Sequence, residues 1–379
     1  MFWHILMTEI CNSECKYCYE KSMQEFDNGL EKKWKFDFSA PRDFSVDIEK
    51  IKKFILQDKD PVIIFYGGEP LLQLEKIKQI MDSFKNTKVK FCMQTNGKLL
   101  DKIPEKYLNK FSKILVSIDG DRQRTDFNRG KGTYDLVLNN LKLIRKDNFH
   151  GEIVARMCLS PLPKRQIDVS DIDKQIKHLL SLNVFDSVHW QIDAGFYKKD
   201  YNKKDFADFA KKYDRSLSNL LDFWISEMKE GKVRRIYPFV GIFESIYYSK
   251  KTKLRCGAGF EGYAITTDGK ITTCPIMNNI TDFYCGHVED STPTKLKQIP
   301  VESPCTECSY LNLCGGRCLY SNKAKLWPEE GQAQICETVI FLIEELKKRI
   351  PEIKKLIKEG KIKESDFEYQ KYFGPEIIP

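Results

Sequence analysis

Cys11-Asn12-Ser13-Glu14-Cys15-Lys16-Tyr17-Cys18 decides how the rest of the chain is read. Its cysteines are separated by three and then two residues, with no fourth in the segment. A structural zinc site closes on four ligands, and a two-cysteine redox pair has no use for a third. Three thiolates in a tight loop suit a [4Fe–4S] cluster with one iron left open, since thiolates are the usual protein ligands of such clusters. The open iron is where chemistry would take place. Just before the loop, Phe2, Trp3, Ile5, Leu6 and Met7 form an apolar run that reads as a strand.

At 379 residues the chain has room for a barrel-sized domain and a smaller appendage. Apolar residues at 41% and charged residues at 31% make a globular composition, tilted toward a heat-adapted host by its Lys, Glu and Ile. The net charge of +8 comes from scattered lysines, which suits solubility and a mild attraction for anionic partners. No nucleic-acid partner is expected from it. Thirteen cysteines would suggest a disulfide scaffold only in a small secreted chain. Here Thr8 and Glu9 end the first apolar run too early for a signal peptide or a membrane span. The thiols therefore read as metal ligands in an anaerobic cytoplasm, with no membrane association.

Strand-like and helical patterns alternate over the first two-thirds. Strands are expected at 2–8, 62–66, 88–93, 113–118, 151–158 and 185–192, with helices near 46–57, 71–85, 101–112, 133–147 and 170–182. Such alternation predicts a parallel sheet, and right-handed crossovers close it toward a partial barrel. Chemistry in barrels gathers on loops after the carboxyl ends of strands. Gly67-Gly68-Glu69-Pro70, Gln94-Thr95-Asn96-Gly97, Ser117-Ile118-Asp119-Gly120 and Trp190-Gln191-Ile192-Asp193 all stand at such ends. Glycines let the main chain approach a ligand, and an unpaired Glu69 would accept from an ammonium. Asn-Gly and Asp-Gly are also plain turns. Residues 21–45, with Phe26, Trp34, Phe36 and Phe38, read as an insertion covering the site. Cys92 and Cys158 lie in apolar strands and read as small hydrophobes.

The last third holds a second cysteine array. A long amphipathic helix over 203–229 leads to Cys256, and Gly269-Lys270-Ile271-Thr272-Thr273-Cys274 follows. Asp268-Gly269 joins residues 263–266 to 270–273 as a β-hairpin. Cys305, Cys308, Cys314, Cys318 and Cys336 come next, and an apolar-periodic helix with a Lys-rich outer face is expected over 337–361. Four of these cysteines, Cys305, Cys308, Cys314 and Cys318, would also make a zinc ribbon. The end of the chain, past Tyr372-Phe373-Gly374-Pro375, reads as either packed or loose.

The cysteine loop after a strand, with Tyr17 before Cys18, and the Gly-Gly-Glu-Pro turn resemble the signatures of the radical SAM superfamily. The second array resembles the SPASM domain of radical SAM enzymes that modify ribosomally made peptides and proteins. The resemblance runs from residue 1 to about 345. It implies an α/β fold: a partial (β/α)6 TIM-like barrel over 1–200, a helical linker over 201–250, a SPASM auxiliary-cluster domain of β-hairpin plus helices over 251–345, and a helical tail over 346–379. It implies three [4Fe–4S] clusters. The one on Cys11, Cys15 and Cys18 would bind S-adenosylmethionine (SAM) and cleave it reductively to a 5′-deoxyadenosyl radical. Tyr17, Gly67, Gly68, Glu69, Pro70, Asn96, Ser117, Asp119 and Arg129 would contact SAM, the Gly-Gly-Glu-Pro turn at its amino group and Arg129 at its carboxylate. Gln94 and Asn96 would face substrate, and Asp193 would be a proton acceptor or substrate contact, or equally a helix cap. Cys305, Cys308, Cys314 and Cys336 would ligate one auxiliary cluster, and Cys256, Cys274 and Cys318 the other.

Two departures from the family pattern matter. Some relatives supply a fourth cysteine soon after the first of the array, but none stands between 256 and 274 here. Either that cluster keeps an open iron, or Glu261 or Cys285 completes it. In addition, Pro275 follows Cys274 where anaerobic sulfatase-maturating enzymes have an Asp, which disfavours sulfatase maturation. The pattern looks most like the peptide-modifying group found in archaea. It implies oxidative modification of a peptide or protein, such as crosslink or thioether formation, with a reductant such as ferredoxin or flavodoxin. The rivals are modification of a small molecule or free amino acid, sulfatase-maturase-like oxidation, and an assembly or electron-carrying protein with purely structural clusters. The sequence shows no peptide-leader domain ahead of the barrel, so leader binding is expected to be absent or delegated.

Overall fold

The computed structural model describes residues 1–18, 29–160, 171–192 and 201–379. In chain order it begins with β1 (Phe2–Thr8), α1 (Ile48–Ile55), β2 (Val62–Gly67), α2 (Leu74–Ser83), β3 (Lys90–Thr95), α3 (Glu105–Leu108) and β4 (Phe111–Ser117). It continues with α4 (Arg122–Arg129), α5 (Thr133–Lys146), β5 (Glu152–Leu159), α6 (Ile172–Ser181), β6 (Ser187–Ile192), α7 (Lys203–Lys229), β7 (Arg235–Ile236) and α8 (Tyr237–Tyr247). Then come β8 (Gly262–Ile265), β9 (Lys270–Thr272), β10 (Tyr284–His287), α9 (Leu311–Cys314), α10 (Leu319–Ala324) and α11 (Glu329–Lys358). The chain forms two compact units, each assembled from three stretches.

The first unit comprises 1–118, 129–154 and 257–300. Its strands run β10-β9-β8-β1-β2-β3-β4. From β8 through β4 neighbouring strands are parallel, whereas β8, β9 and β10 form an antiparallel meander. Ile63, Ile64 and Phe65 of β2 are buried, as a strand covered on both faces requires. Asp47 caps α1 by accepting from the N–H groups of Glu49 and Lys50 at 2.8 and 3.2 Å. Gly269 turns the expected hairpin at φ +94°. Trp34 packs edge-on against Phe283, and Lys35 accepts from Thr281 N–H, so the described part of the 21–45 insertion lies against the 279–283 segment.

The helix expected over 101–112 is only α3. Pro104 pushes Ile103 into the extended region (ψ 117°), and Phe111 already belongs to β4. An unexpected helix, α4, has no apolar stripe to betray it and starts where Asp121 accepts from Arg124 N–H at 2.9 Å.

The second unit comprises 119–128, 155–256 and 301–379. Here β6 pairs in parallel with β7, and α7 buries Phe206, Tyr213, Leu217, Leu220 and Trp224 along one face. Trp190 Nε1 of β6 donates to Tyr213 Oη at 2.7 Å in the interior. Helix α11 starts eight residues before the expected 337, after Pro328, with Glu329 and Glu330 in its first turn where the helix dipole favours acids. It ends at Lys358, so most of the final twenty residues are irregular. That end is packed: Phe367, Phe373 and Ile378 are buried. Among the described residues no helix is long and apolar enough to cross a membrane.

Glu376 sits in this packed end, 2% exposed, and its carboxylate accepts from the N–H groups of Tyr372 and Gly374. Burial pushes its carboxyl up to about 7, against the pull of Arg255 and these amides. A raised folded pKa means a contribution to stability that is full below the ordinary carboxylate range and is lost as pH rises through about 7. Glu376→Gln should therefore flatten the pH dependence of unfolding free energy between about 4 and about 7. Denaturant melts across that range check this.

Candidate active site

The three thiols of the first loop are half-buried in the first unit, with Cys18 N–H on the Cys15 carbonyl at 3.2 Å. The loop is stitched to the turn after β2. Gly68 N–H donates to Thr8 O at 2.8 Å and Glu69 N–H to Ile10 O at 2.9 Å. This approach is what the two glycines are for. A Cβ on Gly67 (φ +132°) would stand 2.2 Å from Thr8 O, and one on Gly68 2.4 Å from Ile10 O.

Glu69 is not the unpaired carboxylate expected from the sequence. It is fully buried, Oε1 accepting from Leu71 N–H at 3.1 Å and Thr95 Oγ1 at 2.8 Å, and Oε2 from Asn96 N–H at 2.8 Å. A buried carboxylate needs such partners, and the neighbouring strand end supplies them. Burial still drives its pKa upward.

Asn96 in turn reaches the cysteine loop. Its Nδ2 donates to Asn12 Oδ1 at 2.6 Å and Ser13 Oγ at 3.2 Å, and lies 3.8 Å from Cys11 Sγ. Arg129 Nη1 lies 3.9 Å from Cys15 Sγ, and its guanidinium stands 5.4 Å from the ring centre of buried Tyr17. Burial, with Glu69 and Cys15 adding to it, pushes the Cys11 thiol up to about 11. A metal or cluster would have to displace that proton. Three soft thiols, two of them facing an amide or guanidinium donor, suit the sulfur ligation of an iron–sulfur cluster.

Glu69, Asn96 and Cys11 are thus linked to one another, and Arg129 separately faces both Cys15 and Tyr17. Gln94 and Ser117 are half-buried at the carboxyl ends of β3 and β4, and Pro70 opens the 3-10 turn after Glu69. Asp119 is in the second unit, fully buried, with Oδ1 on Cys158 N–H and Oδ2 on Asn128 Nδ2, an arrangement that ties it to β5 and to the last turn of α4. Asp193 lies outside the described residues. Sequence reasoning passed over Thr8, Thr95 and Asn140. Thr8 Oγ1 donates to Asp43 Oδ1 and accepts from Ile10 N–H. Asn140 Nδ2 donates to the Gly97 and Lys98 carbonyls. Only Thr95 lay in a quoted motif.

In the second unit Cys305, Cys308, Cys314 and Cys336 lie within electrostatic reach of one another. Burial, and then the other three thiols, push Cys305 up to about 11, while Asn322 Nδ2 stands 3.4 Å from its sulfur. The backbone N–H groups of Gly316 and Arg317 point at Cys314 Sγ. Among the described residues no three His, Cys, Asp or Glu side chains converge tightly enough for one metal ion. A four-iron cluster, whose ligands each bind a different iron, takes thiols standing farther apart than a zinc tetrahedron does. Cys256 and Cys318 are also in this unit, with Cys318 at the N-cap of α10. Cys274, Cys285 and Glu261 are in the first unit, where the Cys285 thiol donates to Phe283 O and is raised by burial to about 11.

The contact at Gly68 has a measurable consequence. Gly68→Ala must push the loop backbone away from Ile10 and should cost about 1–3 kcal/mol of stability. Denaturant unfolding of the purified chain reads this directly.

Residues 5–168 match the family model described as the Radical SAM superfamily. A cysteine-type anaerobic sulfatase-maturating enzyme of Clostridium perfringens is 27% identical over 346 residues, covering 81% of this chain and 85% of that enzyme. A solved structure described as native anSMEcpe with bound AdoMet and Cp18Cys peptide aligns over 94% of this chain and 99% of its own, at TM-score 0.65 and 20% identity. Streptococcus suis SuiB bound to precursor peptide SuiA aligns over 85% of this chain and 72% of its own, at TM-score 0.53 and 16% identity. The chain therefore carries a radical SAM domain of α/β fold, which implies a [4Fe–4S] cluster and SAM, and it is a relative of the anaerobic sulfatase-maturating enzymes.

Proposed function

We propose that this chain is a radical SAM enzyme that oxidatively modifies a residue of a peptide or protein. The observation that carries the reading is the buried Glu69 network, which ties the Gly-Gly-Glu-Pro turn, the end of β3 and the three-thiol loop together. A protein using clusters only as structural staples has no need of that coupling.

Cys11, Cys15 and Cys18 would hold the SAM-binding cluster. When bound, the cluster supplies the electron that cleaves SAM and yields a 5′-deoxyadenosyl radical able to take a hydrogen atom. The chain's residues supply placement. Arg129, set between Tyr17 and Cys15, offers a fixed cation for the carboxylate of SAM. Glu69 acts by fixing the backbones of the turn and of Asn96, and the turn's main chain and Ser117 are left to meet SAM. Gln94 would meet substrate.

Cys305, Cys308, Cys314 and Cys336 would hold one auxiliary cluster, and Cys256, Cys274 and Cys318 another, in a cluster-bearing segment over 251–345. Two auxiliary clusters suit net removal of electrons, hence crosslink or thioether formation. Peptide substrates are supported by relatives whose solved structures are described with peptides bound. The net charge of +8 suits docking of an acidic carrier such as ferredoxin or flavodoxin in the cytoplasm. Pro275 argues against sulfatase maturation itself.

Anaerobic reconstitution tests the reading. Three clusters predict about twelve irons per chain, with 5′-deoxyadenosine formed from SAM and dithionite. Cys15→Ala should abolish the product and keep the auxiliary iron. About four irons or fewer per chain would contradict the second array, and no SAM cleavage would contradict the first.

A further inference from the structure

Strands β5 and β6 are neighbours in the sheet, and in the second unit their two faces differ in kind. Side chains alternate between faces along a strand. Ala155, Met157, Val188 and Trp190 make one face, apolar and buried under helices, where Trp190 meets Tyr213 of α7 and Phe239 of α8. The other face carries Arg156, Cys158, Ser187, His189 and Gln191. Strands buried inside an α/β sheet are as a rule apolar on both sides. This side is not.

Arg156 brings a charge to that face. It is half-buried, and its Nη2 donates to Gln191 Oε1 at 3.0 Å, which fixes the orientation of the guanidinium. Among the described residues no carboxylate pairs with it, and the buried Asp119 meets β5 at Cys158 N–H instead. A cation drawn partly out of water needs an anionic acceptor, and one neutral amide does not meet that need. His189 lies on the same face, 1% exposed, and neither ring nitrogen has a hydrogen-bond partner among the described residues. Burial, and then the charge of Arg156, hold its pKa well below the ordinary histidine range, so the ring adds no charge of its own. Unmet polar capacity on two side chains of one face calls for a ligand, which a packed core does not need.

We propose that Arg156 is a specificity-determining residue that receives a carboxylate of the peptide substrate, with Gln191 as the positioning residue that aims it. The proposal rests on the reading that the substrate is a peptide. A guanidinium is a planar fork that meets a carboxylate through paired N–H···O bonds, and Gln191 takes up one of its nitrogens. The carboxylate belongs to an Asp or Glu side chain or to the end of the peptide, which share this chemistry. A basic group at the same place is repelled. The carboxylate of SAM has its own cation in Arg129, so SAM binding does not call on Arg156.

The test challenges the full chain, reconstituted with iron and sulfide and loaded with SAM, with randomised libraries of short peptides whose C-termini are free or amidated. The wild type should enrich Asp or Glu at one position of the amidated library, or else only peptides with a free C-terminus, which tells side chain from chain end. Neutralising that carboxylate in the selected peptide should weaken its binding to the wild type by about tenfold to a hundredfold. Arg156→Gln should bind the selected peptide more weakly by the same factor and bind acidic and neutralised peptides alike, the mark of a direct pair. Arg156→Lys should keep the acidic preference at lower affinity. The affinity for SAM should be the same in Arg156→Gln and the wild type. Wild-type enrichment without an acidic group, an acidic preference that survives in Arg156→Gln, or a matching loss of SAM affinity overturns the proposal. The neutralised peptide is read on the wild type, so a variant that fails to fold leaves the test standing. If the wild type enriches no peptide at all, the peptide reading itself falls, and the Arg156 site falls with it.

Discussion

A single buried carboxylate organises the first unit. Glu69 is shut away from water, and a carboxylate so placed is tolerable only if hydrogen bonds replace its hydration. Those bonds come from Leu71 in its own turn and from Thr95 and Asn96 at the end of the neighbouring strand. The ends of β2 and β3 are thereby fixed to one another. Because Gly67 and Gly68 allow backbone contact with Thr8 and Ile10, the fixed point extends to the start of the cysteine loop. Asn96 completes the circuit by holding Asn12 and Ser13. The side chains of Asn12 and Ser13 in the loop are thereby held by the end of β3.

The second unit solves the same problem with a backbone turn. Three successive left-handed residues bring amides to Cys314, while Asn322 serves Cys305. Arg255, buried nearby, donates to Gly241 O and Ser245 Oγ, tying the residue before Cys256 to α8. Thiols that must become thiolates to bind iron cost free energy when buried. In both units the compensation is a small set of donors on or near the sulfurs, not a general positive field.

Much of this was legible in the sequence because local chemistry and chain order coincide there. The apolar runs at Val62–Phe65 and Ile114–Val116 read as buried strands, and Asp268-Gly269 between two alternating segments reads as a hairpin turn. The cysteine spacings singled out thiols that the structure gathers at 305–336. What was not legible depends on partners distant in sequence. Glu69 looks free until Thr95, twenty-six residues on, is seen to donate to it. Asp119 looks like a ligand-facing side chain until Cys158 and Asn128 close on it. Helix α4 lacks periodicity because its sequence is polar nearly throughout, and the 101–112 segment has apolar residues at helical spacing that Pro104 overrides.

The most direct test of the Glu69 network is native-state hydrogen exchange at the Glu69, Leu71 and Asn96 amides in the wild type and in Glu69→Gln. If the carboxylate is what fixes the turn, these amides exchange in the wild type only through global unfolding. In the variant they exchange through a separate, lower-energy local opening shared with Cys18. Equal protection in the two proteins, or wild-type exchange as fast as in an exposed loop, would contradict the central role given to Glu69.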